Sequence, residues 1–227
     1  MAHPLDHAVW NALRTRQSAF AVGDALALRF VADVSPLAAA RDGSGKPAAA
    51  LAALIAQGGD ISLLEPAPPA TPAGVRLIKQ ADCLQMVAHR LTADAGAAPI
   101  EPLGEADAAE MLALATLTRP GPFLTHTHRL GRFLGVRDGG RLVAMAGERL
   151  HVDGFREISA VCTHPDYRGR GYGAALMRAV GARMLAEGDA PFLHSYADNA
   201  PALALYRSLG FEVRAKVIHA VWALGAS

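Results

Sequence analysis

A glycine-rich turn between a strand and a helix constrains the fold of this chain more than any other feature of its sequence. It consists of Arg168-Gly169-Arg170-Gly171-Tyr172-Gly173, preceded by an apolar stretch ending at Val161 and followed by Ala174. Glycines let the backbone adopt left-handed angles and approach a ligand closely, and the first amides of a helix lack partners within the helix. Because these amides also carry the positive end of the helix dipole, the segment predicts a phosphate or pyrophosphate site. A purely structural turn is the alternative.

The same glycines match a dinucleotide-binding fingerprint, Gly169-x-Gly171-x-x-Ala174, with Glu187 or Asp189 near the place of a ribose-binding acid. The context argues against this interpretation. Residues 164–168 separate the apolar strand from the first glycine, and the roughly 50 residues that follow cannot complete a doubly wound sheet.

The remaining pattern predicts an α/β domain with a mixed sheet and an N-terminal companion region. Pro-rich residues 65–72 and the small residues of 92–99 form connectors that divide the chain into 1–98 and 99–227. Helices are predicted at 8–16, 46–57, 105–117, 173–187 and 200–209, and strands at 60–64, 75–79, 133–137, 142–150, 155–162, 191–196 and 211–223. Asp138-Gly139-Gly140 predicts a hairpin turn.

Charge and cysteine content exclude several classes of protein. Lys and Arg number 22 against 21 Asp and Glu, so no net field favours a nucleic acid or an anionic membrane. Cys83 and Cys162 have neither disulfide-framework nor zinc spacing. The sequence contains neither a leader pattern nor a membrane-length apolar run. We therefore expect a cytoplasmic protein without a metal; the pair His126 and His128 has no carboxylate nearby in the sequence and makes a poor metal site.

Two motifs in residues 99–227 resemble the GCN5-related N-acetyltransferases, in particular their FR47-like subgroup. Val161-Cys-Thr-His-Pro165-Asp-Tyr-Arg168 and the glycine loop match the first signature, and Asn199-Ala-Pro-Ala-Leu-Ala-Leu205-Tyr206-Arg-Ser-Leu-Gly210-Phe211 matches the second. The resemblance implies acetyl-CoA as co-substrate and an amine as acceptor. It also implies that the pantetheine arm binds the backbone of Val161, Cys162 and Thr163, and that the coenzyme contacts Arg168, Gly169, Arg170, Gly171, Tyr172, Gly173, Ala174, Asn199 and Tyr206. Residues 3–13 are similar to the leader of that subgroup, so region 1–98 is interpreted as a degenerate companion module.

Spacing and residue type, together with the resemblance, indicate a catalytic acid. Asn199 is a good N-cap, and Tyr206 lies seven residues later, nearly two helical turns, so both side chains point to one side of the helix. The resemblance implies that this side faces the coenzyme thiol, where a phenol can donate a proton to the leaving thiolate, and this makes Tyr206 the candidate acid. Packing between helix and sheet is the alternative role for Tyr206.

The acceptor amine must lose a proton, and Glu157 is ranked first as the group that removes it because many proteins of the resembling family carry a carboxylate there. Glu148 on the neighbouring strand is its competitor, and pairing of Glu157 with Arg149 or Arg156 is the structural alternative. His194 is a further candidate for proton relay or for a structural role.

The sequence thus predicts an acetyl-CoA-dependent N-acetyltransferase. A non-catalytic module that binds acyl-CoA is the alternative, since the phosphate loop would be the same. The acceptor stays open between small molecules and peptides, as does the choice between monomer and homodimer.

Overall fold

The computed structural model describes residues 3–92 and 99–225. The predicted connector at 92–99 lies mostly outside the described residues. The helices are α1 (Ala8–Arg14), α2 (Gly45–Gly58), α3 (Ala108–Thr118), α4 (Tyr172–Ala186) and α5 (Ala200–Ser208). The strands are β1 (Ala21–Gly23), β2 (Ala27–Phe30), β3 (Ala38–Ala40), β4 (Ile61–Glu65), β5 (Val75–Val87), β6 (Ile100–Leu103), β7 (Phe133–Asp138), β8 (Arg141–Val152), β9 (Phe155–Thr163), β10 (Ala190–Tyr196) and β11 (Glu212–Leu224).

Eight of these strands form one mixed sheet in the order β4-β11-β5-β10-β9-β8-β7-β6, and β1-β2-β3 form a small separate sheet. The pair β9 and β10 is parallel, while the other neighbours in the large sheet are antiparallel. The α/β class and the mixed sheet predicted from the sequence are confirmed.

The N-terminal region supplies two strands to the large sheet. β5 lies between β10 and β11 and pairs with both of them in antiparallel register. The sequence pattern predicted a strand only at 75–79, whereas β5 continues to Val87. Regions 1–98 and 99–227 therefore share one sheet.

Helices cover both faces of the large sheet, as the alternation of apolar residues requires. Phe192 of β10 packs into a cluster with α1, whereas the adjacent Leu193 packs with α4 and α5 on the opposite face. A third cluster places α3 over β8 and β9. No helix in the described parts of the chain is long and apolar enough to cross a membrane.

The central parallel pair opens into a cleft. β9 and β10 are paired only at Phe155–Glu157 and Ala190–Phe192, although both strands continue beyond these positions. The edge of β9 that faces β10 therefore has free backbone groups after Glu157.

Candidate active site

A cavity of about 130 Å³ lies where β9 and β10 diverge. Both splayed strands contribute to it, as do α5, the loop after α3 and the N-terminal region. Its lining consists of Ile158, Ser159, Ala160, Val161, Leu193, His194, Ser195, Tyr196, Asn199, Tyr206, Pro120, Gly121, Pro122, Leu37, Ser62, Leu64, Cys83, Arg149 and His219.

The glycine-rich turn connects β9 to α4 with the geometry of an anion cradle. Gly169 and Gly171 have φ of 77° and 79°, and no atom lies within 4 Å of a Cβ placed on either. Ala175 donates the first backbone hydrogen bond of the helix, to Gly171 O at 3.1 Å. The amides of Tyr172, Gly173 and Ala174 precede that bond and belong to the turn whose N–H groups a helix leaves unpaired. These residues fit a pyrophosphate group.

The helix behind the turn is held in place by burial. Four side chains of α4, Leu176, Met177, Val180 and Met184, are fully buried against the sheet. Arg168 and Arg170 remain exposed, and the Arg170 guanidinium lies 4.6 Å from the centre of the Tyr167 ring.

The strand leading into the turn contains a β-bulge that sequence analysis did not predict. Gly147 pairs with Ser159 and Met145 pairs with Cys162, so Ala160 and Val161 together oppose one residue of β8. Ala160 has φ of 53°, a left-handed angle for a residue with a Cβ. A bulge leaves backbone groups without strand partners, and this one lies on the cavity wall.

The three residues expected to bind the pantetheine arm are placed differently. Val161 lines the cavity, and Thr163 pairs with Ala144 at the end of β9. The Cys162 side chain is buried beneath α3, and burial raises the pKa of its thiol to about 11. Only the backbone of Cys162 can therefore serve a ligand in the cleft.

Asn199 and Tyr206 line the cavity together from α5. Asn199 caps the helix by accepting a hydrogen bond from Ala202 N at 3.3 Å. Burial raises the pKa of Tyr206, so its hydroxyl keeps its proton at neutral pH. Tyr206 is thus able to donate a proton or a hydrogen bond into the cavity.

Glu157 is fully buried and does not line the cavity. Arg149 binds both of its carboxylate oxygens, at 2.7 and 2.6 Å, and His194 Nδ1 lies 2.7 Å from Oε1. Burial raises the pKa of this carboxyl, but the Arg149 charge and the hydrogen bonds outweigh it and hold the pKa at about 2. The pairing with Arg149, left open by the sequence, is thus present.

His194 connects Glu157 to the N-terminal region. Its Nε2 lies 3.1 Å from Gln85 Nε2, and Gln85 Oε1 accepts a hydrogen bond from Arg214 Nη1 at 2.5 Å. Because Arg214 can only donate, the Gln85 oxygen faces it and the amide nitrogen faces His194. The imidazole therefore carries its proton on Nδ1, toward Glu157, and accepts at Nε2.

Glu148 belongs to a different cluster. Its buried carboxylate accepts hydrogen bonds from Arg183 at 2.9 Å and Arg156 at 3.5 Å, and it is absent from the cavity lining. Burial raises its pKa, but His151 and the Arg156 charge lower it more, to about 2. Glu148 is held away from the cleft by arginines at the far end of α4.

The two histidines singled out in the sequence bind different acids. His126 Nδ1 lies 2.7 Å from Asp33 Oδ2, and His128 Nε2 lies 2.9 Å from Glu105 Oε2. In the ranges 3–92 and 99–225, no group of three His, Cys, Asp or Glu side chains is arranged to hold a metal ion.

The N-terminal lining residues also escaped sequence analysis. Leu37, Ser62, Leu64 and Cys83 come from segments without a chemical motif, and only the strand pairing brings them to the cleft. The strand predicted at 60–64 was the one available signal, because every second residue of a strand, here Ser62 and Leu64, points to the same face.

Comparison with known proteins identifies the family. The model of the family described as FR47-like protein matches residues 133–223. A putative acetyltransferase from the GNAT family of Novosphingobium aromaticivorans is 45% identical; the match covers 99% of this chain and 100% of that one, with a TM-score of 0.92. The chain belongs to the GNAT acetyltransferase family. The prediction of the family is confirmed, and the match of residues 133–223 agrees with the FR47-like signature predicted for the C-terminal region. Membership of the family implies acetyl-CoA as co-substrate and an amine as acceptor.

Curated relatives of this GNAT protein match it only in part. The N-alpha-acetyltransferase RimI of Mycobacterium tuberculosis is 40% identical over 90 residues, which are 38% of this chain and 53% of that protein. The mycothiol acetyltransferase of Corynebacterium aurimucosum is 43% identical over 70 residues, 30% of this chain and 22% of that protein. The chain thus aligns with about half or less of the length of these two relatives.

Proposed function

We propose that this protein transfers the acetyl group of acetyl-CoA to the primary amine of an acceptor that enters the cavity between β9 and β10. The observation that carries the proposal is that one cavity joins Val161, Asn199 and Tyr206, on the coenzyme side, to residues of the N-terminal region. An acetyl group and an amine can meet there, because the free edge of β9 leads from the glycine-rich turn into this cavity.

Binding of the coenzyme rests mainly on backbone groups. The amides of residues 169–174 would hold the pyrophosphate, with Arg168 and Arg170 adding positive charge at the exposed rim. The unpaired edge of β9 at Val161, Cys162 and Thr163 would bind the pantetheine amides as a further strand would. Asn199 would contact the arm near the thiol while it caps α5.

Acetyl-CoA supplies a thioester, whose carbonyl carbon the amine attacks and whose thiolate leaves. The backbone groups freed by the bulge at Ala160 stabilise negative charge on the carbonyl oxygen. Tyr206 donates its hydroxyl proton or a hydrogen bond to the departing sulfur.

Glu157 assists deprotonation of the amine indirectly, by positioning His194. The cavity touches His194 but not Glu157, and the Glu157 carboxylate is held by Arg149 and by the imidazole. When the acceptor amine replaces the Gln85 amide as the partner of His194 Nε2, this nitrogen takes a proton from the amine. Glu157 then stabilises the imidazolium that forms. In this scheme Glu157 is a positioning residue for His194.

Release of free thiol from acetyl-CoA, measured with a panel of amines, tests the proposed function. We expect at least one amine to be acetylated, with the N-acetyl product identified by mass spectrometry. Binding of acetyl-CoA without turnover of any amine would instead favour the non-catalytic module.

The pH dependence of variants tests the assignment of the base. Glu157→Gln and His194→Asn should both lower kcat and displace the acidic limb of the pH profile. Glu148→Gln removes a carboxylate outside the cavity and serves as the comparison. Loss of activity in the Glu148 variant alone would refute the role of the Glu157 and His194 pair.

Two buried free thiols, Cys83 and Cys162, support a reducing and therefore cytoplasmic setting.

A further inference from the structure

Beside the cavity, three side chains on neighbouring strands form a hydrogen-bonded chain, here termed the Lys79–Tyr196–His219 chain. Lys79 Nζ donates to Tyr196 Oη at 2.9 Å, and Tyr196 Oη lies 3.1 Å from His219 Nδ1. Tyr196 and His219 line the cavity, and the exposed Lys79 lies over the Tyr196 ring, with Nζ 4.3 Å from the ring centre. The chain spans β10, β5 and β11 at the end of the cavity built by the N-terminal region.

The positive charge of Lys79 has no partner of opposite sign in the described residues, where no carboxylate forms an ion pair with it. The charge of Lys79 also affects His219 in the cavity wall. Burial, together with the charges of Lys79, Arg149 and His194, lowers the pKa of His219 to about 4. Asp82 is exposed on the same strand as Lys79. Burial raises the pKa of the neighbouring Cys83 thiol, and the charge of Asp82 contributes in the same direction.

Negative charge is missing from the cavity wall. None of the lining residues among those described is Asp or Glu. The nearest acid of the proposed machinery, Glu157, is neutralised by its two bonds to Arg149. A polycation would therefore lose its hydration in this cavity without gaining a carboxylate partner.

We infer that the acceptor is a compact amine that carries a carboxylate, and that the Lys79–Tyr196–His219 chain binds this carboxylate. This inference rests on the proposed function and names its substrate class. The ammonium of Lys79 and the hydroxyl of Tyr196 supply donors for a carboxylate at the mouth of the cavity. The side chains of Leu37, Leu64 and Pro122 form a small apolar wall, against which the rest of the acceptor molecule can pack.

The same arrangement assists the reaction. The Lys79 ammonium offsets the negative charge of the bound carboxylate, which would otherwise raise the pKa of the acceptor amine. The amine then spends more time in the neutral form that can attack, and less is required of His194. A carboxylate bound by Lys79 also fixes the amine at one distance from the thioester.

Amino acids compared with their carboxamides test the inference, because the exchange removes the carboxylate charge and keeps the carbon skeleton and the amine. We expect kcat/KM for the best amino acid to exceed that for its carboxamide at least tenfold, and spermidine to be a poor acceptor. Lys79→Gln should raise the KM of the amino acid about tenfold, since one charge-assisted hydrogen bond is lost. The same variant should leave the KM of acetyl-CoA and of the carboxamide unchanged, and Tyr196→Phe should act in the same direction.

Lys216→Gln is the matched control, because Lys216 is an exposed lysine of β11 that pairs with Leu84 and lies outside the cavity. Calorimetry of amino acids against the protein saturated with CoA gives a readout independent of turnover. Preference for carboxamides or spermidine, or equal effects of the two lysine variants, would overturn the inference while acetylation of amines preserved the proposed function. Binding of acetyl-CoA with no binding of any amino acid would also overturn it.

Discussion

Gly171 offers the sharpest test of the pyrophosphate site, because a substitution there changes the ligand's environment more than the protein's. Its φ is 79° and a Cβ added to it would meet no atom within 4 Å. Gly171→Asp therefore introduces no clash with the folded chain. It places a carboxylate where the amides at the start of α4 would hold an anion.

Two costs follow from this geometry, and they affect different measurements. A left-handed angle costs a residue with a Cβ about 1–2 kcal/mol, and Asp is among the residues that tolerate it, so the free energy of unfolding should fall by about 1 kcal/mol. A phosphate about 5 Å from the new carboxylate is repelled by about 3 kcal/mol at an effective dielectric constant of 20. We expect the affinity for acetyl-CoA to fall at least about 100-fold.

Gly188→Asp separates these two costs. Gly188 lies just beyond the other end of α4, has φ of 86° and has the same open space around an added Cβ. It should show a similar loss in unfolding free energy by urea titration, with native affinity for acetyl-CoA by calorimetry. Equal affinities of the two folded variants would refute the assignment of the pyrophosphate to the turn.

Three further predictions concern the proposed acid Tyr206, the arginine Arg156 that binds Glu148 and Asp189, and the cap of α5. Tyr206→Phe should lower kcat about 100-fold with little change in the KM of acetyl-CoA, because only the transition-state interaction is removed; normal kcat with a lower melting temperature would make Tyr206 a packing residue. Arg156→Leu removes bonds to Asp189 at 2.5 Å and to Glu148 at 3.5 Å and should cost about 3 kcal/mol of unfolding free energy, measured with urea at pH 7. Because the pKa of Glu148 in the folded protein is about 2, below its unfolded value, its stabilising effect is complete above about pH 4.5 and is lost as the pH falls toward 2. The deficit of Arg156→Leu should therefore shrink at pH 3, and a deficit independent of pH would contradict this account. Asn199→Ala removes a helix cap and should cost about 1 kcal/mol in the same titration, an effect that Asn199→Asp should largely avoid.

The sequence predicted the order of helices and strands between residues 105 and 223 because each signal there is local. Gly171 starts α4, Asn199 caps α5, and Gly139-Gly140 turns β7 into β8. Backbone conformation at such positions depends on neighbouring residues, so a pattern of a few residues is sufficient.

The position of β5 could not be predicted in the same way. Its pairing with Tyr196 and Ile218 joins residues more than 100 apart in the chain, and nothing in residues 75–87 specifies those partners. The cavity wall made by Ser62, Leu64 and Cys83 follows from that pairing. The half of the site that would contact the acceptor was therefore hidden from sequence analysis, while the turn for the coenzyme was visible.

The bulge at Ala160 shows why the proposed reacting centre could not be predicted from the sequence. Residues 155–162 have the composition of an ordinary strand, and the extra residue appears only when the register with β8 is counted across Gly147 and Met145. A left-handed angle costs Ala160 about 1–2 kcal/mol, so the pairing on both sides and the packing against α3 must hold it there. The strained residue lies in the part of β9 whose free edge follows the last pair with β10, at Glu157 and Phe192. Strain and unpaired backbone thus coincide on the cavity wall, where the acetyl carbonyl of the proposed reaction would need hydrogen-bond donors from the backbone.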